Sequence, residues 1–360
     1  MSEQKLFDAA LVILKGEAGD RTDAVPPADR ETGPAARFPL HWLSDLGTEQ
    51  AAQIARLWRE LPVLTRRDRI GRMDEEAREN FEVDFLAVAR IALNDGDPEV
   101  RVHAIRSFWE CGDPKLVDKF IQFMEQDPEL TVRASAATAL GPFVERAELE
   151  EIPFSAGVRI ITRLIGVIRG KDELEVRRRA VESVGYASDP RVRLILENAH
   201  SHPAELMRAS ALLAMGRSAD PSFAAIIADE LRNAAPAIRA EAARAAGTLG
   251  MKKTVRLLIE LLEDVDAGVR ACAIDALGKI GGGPAREALE KMQKLAAGEE
   301  WDLYETALEN AEFQDSLAEL PILDIDEMDD ESEEDEEEDE DVDEEEDEEE
   351  DEEKGEDEGE

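Results

Sequence analysis

Asp266-Ala267-Gly268-Val269-Arg270-Ala271-Cys272-Ala273-Ile274-Asp275-Ala276-Leu277-Gly278 holds a helix start, an arginine among apolar residues and a helix end within thirteen positions. Its core, an apolar residue followed by Arg with Ala three places on, recurs six times. The copies are Val100-Arg101 with Ala104, Val132-Arg133 with Ala136, Val176-Arg177 with Ala180, Met207-Arg208 with Ala211, Ile238-Arg239 with Ala242 and Val269-Arg270 with Ala273. The arginines are spaced 32, 44, 31, 31 and 31 residues apart. Six places after each stands a small residue: Ser107, Ala139, Ser183, Ala214, Ala245 or Ala276. Eight places after stands Gly141, Gly185, Gly216, Gly247 or Gly278, and Trp109 alone breaks that series. Such agreement marks an internal repeat, in which each unit buries its apolar face only against its neighbours.

Each unit reads as two helices. Pro114 opens a first helix with Leu116, Val117, Phe120, Ile121 and Met124 at helical spacing, Asp127-Pro128 ends it, and a second runs from about Glu129 to Val144. The same Asp-Pro punctuation stands at 97–98, 113–114, 189–190 and 220–221. Asp accepts from the free N–H groups of a helix start, and Pro suits the first turn because it has no N–H to leave unpaired.

Paired helices of about 31 residues, with a second helix of the form Asp-Pro-x-x-Val-Arg-x-x-Ala-x-x-Ala-Leu-Gly, resemble HEAT repeats, and most nearly the short-period subclass named after phycobilisome lyases. The likeness is specific over 97–283, where six units align, and weaker to either side. It implies an all-α HEAT-type α-solenoid of tandem antiparallel helix pairs in a right-handed superhelix. Stretches 49–61 and 81–93 supply further helices, and 299–317, with Trp301 in the Arg place, supplies a capping helix. The expected division is a short helix and flexible linker over 1–40, a solenoid over 41–317 and a disordered acidic tail over 318–360.

At 100° per residue the repeated Arg lies inside the apolar arc of the second helix. A guanidinium buried there must be paired. Acids near the helix starts, Asp97, Glu129, Glu173 and Asp266, are the expected partners of Arg101, Arg133, Arg177, Arg208, Arg239 and Arg270, and the resemblance implies that these pairs form a structural ladder between units. Ala or Ser with Gly at the other end lets helix axes approach closely.

The opposite face of the second helices is the candidate binding surface, and by the resemblance it lines the concave side. Its expected residues are His103, Arg106, Trp109, Thr138, Arg179, Glu182, Tyr186, Leu213, Arg217, Glu241, Arg244, Asp275 and Lys279. Charges are mixed there, which suits a polar, shape-matched protein partner and not a track for phosphates. Trp109 reads either as core filler or as a partner anchor. The spacing of 44 marks an insertion near 145–157, expected as an edge loop.

Composition bounds the rest. The chain of 360 residues has 86 acids against 42 Lys and Arg, a formal charge of −44. Thirty of those acids fall in 324–360, beside one base, Lys354, and three apolar residues; such a polyanion cannot fold alone. It reads as a solubiliser or as an electrostatic competitor for a basic partner. The remaining body is itself acidic, so direct nucleic-acid binding is not expected despite the clusters Arg66-Arg67-Asp68-Arg69, Arg177-Arg178-Arg179 and Lys252-Lys253.

Two cysteines without a CxxC, no leader and no apolar run near the length of a membrane span point to a cytoplasmic protein. Leu6–Lys15 reads as a helix that packs on the body or is tethered to it. Four histidines, of which only His200 and His202 are close, leave no metal centre, and no phosphate loop or nucleophile setting occurs; no catalytic, metal or cofactor residues are assigned. The expected function is a non-enzymatic interaction scaffold. An escort for a basic, nucleic-acid-binding protein and a bilin-lyase-like protein are the alternatives.

Overall fold

The computed structural model describes Leu11, Leu14 and residues 40–319; most of the N-terminal segment and the acidic tail lie outside the described residues. After a single turn at Leu40–Leu43, helices follow in pairs. These are α1 (Thr48–Glu60) with α2 (Val63–Glu79), α3 (Leu86–Ala92) with α4 (Pro98–Arg106), and α5 (Val117–Gln126) with α6 (Leu130–Ala139). After a supernumerary α7 (Gly141–Glu148) come α8 (Phe154–Arg169) with α9 (Leu174–Val184) and α10 (Pro190–His200) with α11 (Glu205–Arg217). The series ends with α12 (Ala224–Glu230) and α13 (Pro236–Thr248), α14 (Val255–Leu261) and α15 (Ala267–Ile280), and α16 (Gly283–Gln293) and α17 (Glu299–Glu319). No strand occurs among the described residues. The fold is an all-α solenoid in which second helices stack on second helices, α2 on α4, α4 on α6, α6 on α9 and so on to α15.

Local chemistry sets the helix starts. Asp97 accepts from the N–H groups of Glu99 and Val100, Asp266 from Val269, and Asp189 from Arg191, the first followed by Pro98 and the last by Pro190. Packing then depends on the small residues. A Cβ placed on Gly185 would stand 2.7 Å from Cα of Ala214, one on Gly216 2.8 Å from Cα of Ala245, and one on Gly247 2.7 Å from Cα of Ala276. One on Gly278 would meet Ala307 in α17 at 2.8 Å, so α17 is received by the stack as a further second helix. Each glycine therefore abuts the small residue two places earlier in the register of the next unit, and no side chain fits between.

Of the segment 145–157 expected as an edge loop, 145–148 continue a helix and 154–157 open the next. Helix α6 runs through Leu140, still αR, into α7, which puts Phe143, Val144 and Ala147 into the core. The Phe143 ring meets Phe120 edge-on at 5.9 Å, and Phe120 meets Phe108 at 6.0 Å. Only 149–153 is irregular, with Glu150 at φ 60°. Apolar residues at helical spacing explain the difference: added length with a buried stripe extends a helix. At the other end Leu14 is fully buried in the same core, with Leu11 packed against it.

Candidate functional site

The site follows from the position where glycine is missing. Helix α4 stops at Arg106, and Ser107 to Glu110 turn away, so Trp109 leaves the helix instead of occupying the glycine contact. Ala214, Ala245 and Ala276 are sealed by their glycine neighbours, whereas Ala139, which Trp109 should face, stays partly open. Here the stack parts into a groove of about 750 Å³, with a floor of Val102, Ile105, Trp109, Leu130, Ala134 and Pro142 and with Thr131, Ser135 and Thr138 beside it. Trp109 is 44% exposed and Leu130 38%. Arg78, Arg106, Glu175 and Arg179 form the rim.

The charges on that rim are unequal in freedom. Arg78 is bound to Asp74 at 2.9 Å, and Asp74 also meets His103 Nδ1 at 3.1 Å. Arg179 reaches Glu175 and Glu182, both at 3.0 Å, and Arg178 bonds the same two acids. Burial raises the Glu175 pKa, but the two guanidinium hydrogen bonds outweigh it and hold the carboxyl below the usual range. Arg106 is exposed and makes no ion pair among the described residues.

Farther along, the expected face closes on itself. Glu182 was placed on the accessible face, yet it is only 5% exposed: Ser210 Oγ donates to it at 2.6 Å, and Arg178 and Arg179 cover the rest. Close helix approach at Gly185 and Ala214 brings the flanking residues of α9 and α11 into contact, which the spacing in one helix does not reveal. Arg217 stacks on the Tyr186 ring at 4.8 Å and donates to the Glu182 carbonyl at 3.0 Å. Arg244 meets Glu241 at 3.2 Å and Cys272 Sγ at 3.4 Å, and Lys279 pairs with Asp275 at 2.8 Å. Burial raises the pKa of Glu241, with Glu182 adding and Arg244 opposing, and burial likewise raises the Cys272 thiol. Leu213 is half-buried and Thr138 exposed, its hydroxyl bonded to the Ala134 carbonyl. Of the thirteen residues expected on this face, the groove gathers Arg106, Trp109, Thr138 and Arg179. His103 stands beside it through Asp74. Sequence reasoning missed Val102, Ile105, Leu130 and Pro142.

The repeated arginines sit at the other end of the second helices. Each of Arg101, Arg133, Arg208 and Arg239 donates through Nη1 to two carbonyls of the loop before its own helix, and Arg270 to that of Asp264. Arg101 also pairs with Asp127, Arg133 with Asp172, Arg239 with Asp264 and Arg270 with Glu300, at 2.8 to 3.0 Å. These are not the acids expected. Asp97 and Asp266 are occupied as helix caps, Asp97 also by Arg67, while Asp127, Asp172 and Asp264, one or two places before the expected acids, and Glu300 in α17 face back to the preceding unit. Arg177 bonds the Ile168 carbonyl, and neither it nor Arg208 meets a carboxylate among the described residues. No group of three or more His, Cys, Asp or Glu among them is placed to hold a metal ion, and no described helix is long and apolar enough to cross a membrane.

Stacked helix pairs closed by small-residue contacts define a helical-repeat solenoid. Residues 86–151 and 224–311 match the family described as HEAT repeats, and the chain is a HEAT-repeat protein. The complex of CpcE and CpcF of phycocyanin lyase from Nostoc sp. PCC7120 is similar at 19% identity, over 63% of this chain and 94% of that one, with a TM-score of 0.44. A designed armadillo repeat protein shares 18% over 54% and 99%, TM-score 0.34, and human deoxyhypusine hydroxylase 21% over 77% and 96%, TM-score 0.32. Likeness at that level carries no chemistry to this chain. No curated protein matches the sequence.

Proposed function

We propose that the protein is a non-enzymatic interaction scaffold, and that its second-helix face holds a segment of a partner protein at the Trp109 groove. One observation carries this reading: an apolar groove with a half-exposed tryptophan opens where the glycine contact of the stack is lost. Exposed Trp in a desolvated pocket is the residue type most enriched at binding hot spots, and a preformed helical surface loses little entropy on binding. A photo-crosslinking residue at Thr138 should trap a partner protein from the source cell, while the same residue at exposed Leu194 in α10 should not. Equal trapping at both sites overturns the reading.

The acidic residues of 324–360 favour a second reading, an escort for a basic protein with the tail as competitor for nucleic acid. Deleting 324–360 should then weaken partner binding most at low salt; binding with unchanged salt dependence excludes it. Covalent pigment transfer in a reconstituted mixture would point instead to a lyase.

A further inference from the structure

We infer that the Trp109 groove accepts an amphipathic helix from a partner protein, with large apolar side chains along one face and a carboxylate beside them that meets Arg106. This deepens the scaffold reading and rests on it. Three observations combine. The floor is apolar, and its backbone is bonded within its own helices except for the uncapped first turn of α6 at Leu130 and Thr131, too short a stretch to pair with a strand. An extended peptide laid there would leave its own N–H and C=O groups without water or partner, at a cost of a few kcal/mol each. A helix brings its backbone already satisfied, so side chains alone make the contact.

The charge of the occupant follows from the rim. Asp74, Glu175 and Glu182 are each held by an arginine, so no acid there is free for a cation. Arg106 is free. In a chain of net charge −44, an apolar cleft whose one uncommitted charge is positive selects an acidic ligand locally, against the long-range field.

The test uses the full chain at about 0.15 M salt, where the field of the tail is screened beyond roughly 8 Å. The probes are two labelled helical peptides of about sixteen residues, with leucines at i, i+3, i+4 and i+7 and either glutamates or lysines flanking the stripe. Anisotropy is read on the wild type, Trp109→Ala and Arg106→Glu, and only the part lost with Trp109→Ala is counted. The glutamate peptide should bind about tenfold more tightly than its lysine twin, and Arg106→Glu should reverse the order. Circular dichroism melting of both variants should match the wild type, since neither side chain is buried. Equal Trp109-dependent binding of both peptides, or an order that Arg106→Glu leaves unchanged, overturns the carboxylate assignment while the scaffold reading stands. If neither peptide binds through Trp109, the groove is no helix dock and the inference fails, whereas the scaffold reading fails only on crosslinking at Thr138.

Discussion

Asp127, His202, Asn233 and Asp264 occupy the same place in four of the units, and each accepts a hydrogen bond from the backbone N–H two residues on, at 2.9 to 3.0 Å. All four close the turn, but only the aspartates carry a charge for the arginine of the preceding unit. Arg101→Ala would strand a buried carboxylate at Asp127 and should cost about 3–5 kcal/mol in chemical denaturation. Arg208→Ala removes two carbonyl bonds and strands no charge, so its cost should be about 1–2 kcal/mol; equal losses would contradict this ordering. The Arg239 hydrogen bond holds the Asp264 carboxyl below its ordinary range. A depressed carboxylate stabilises fully above its unfolded pKa of about 4 and loses that contribution as pH falls through the folded value. The stability gap between wild type and Asp264→Asn should therefore be widest at neutral pH and shrink below about pH 4, measured by urea unfolding at several pH values. The arginine series was legible from its spacing. Its partners were not, because in Asp264-x-Asp266 one acid caps the helix and the other faces backward, and only the folded turn distinguishes them.

At the scale of the helix, the glycines separate two situations that composition treats alike. Gly216→Ala drives a methyl group to 2.8 Å from the Ala245 backbone, which cannot yield, and should destabilise by about 1–3 kcal/mol or more. Gly166 lies within α8 with nothing near its absent Cβ, so Gly166→Ala should stabilise by about 0.5–1 kcal/mol. Thermal melting of the two variants in opposite directions is the expected result. The helix pairs and their small-residue contacts could be read from the six aligned copies. Where the pattern fails, the sequence marks a position without giving its consequence. Trp109 breaks the series, but the groove exists because α4 ends at Arg106, and nothing in the local residues fixes that end. The extra length before α8 was likewise evident, yet only the structure shows that its first part, through the buried Ala147 to Glu148, is helix.

For the whole molecule, the core begins earlier than the first complete repeat. Leu14 is fully buried among residues of the folded body, and Leu11 packs against the same core. Leu14→Ala should cost about 2–5 kcal/mol if that segment is integral; a negligible change in denaturation midpoint would favour a tethered helix. A solenoid's stability is close to a sum over units and their joints, and here the joints are unequal. Between α9, α11 and α13 the second helices are pressed together at Gly185 and Gly216, while at their other ends Arg177 and Arg208 reach no carboxylate among the described residues. Amides of 200–204 and 231–235 should exchange with deuterium faster than their counterparts around Asp127 and Asp264, and Asn233→Asp should slow the second set. Each of these two consecutive joints keeps its small-residue contact without the arginine–carboxylate pair of the other units; between α10 and α12, His200 and Glu230 at 2.8 Å tie the turns instead. Strain along the stack should therefore be taken up first at these two joints, between the groove and α15.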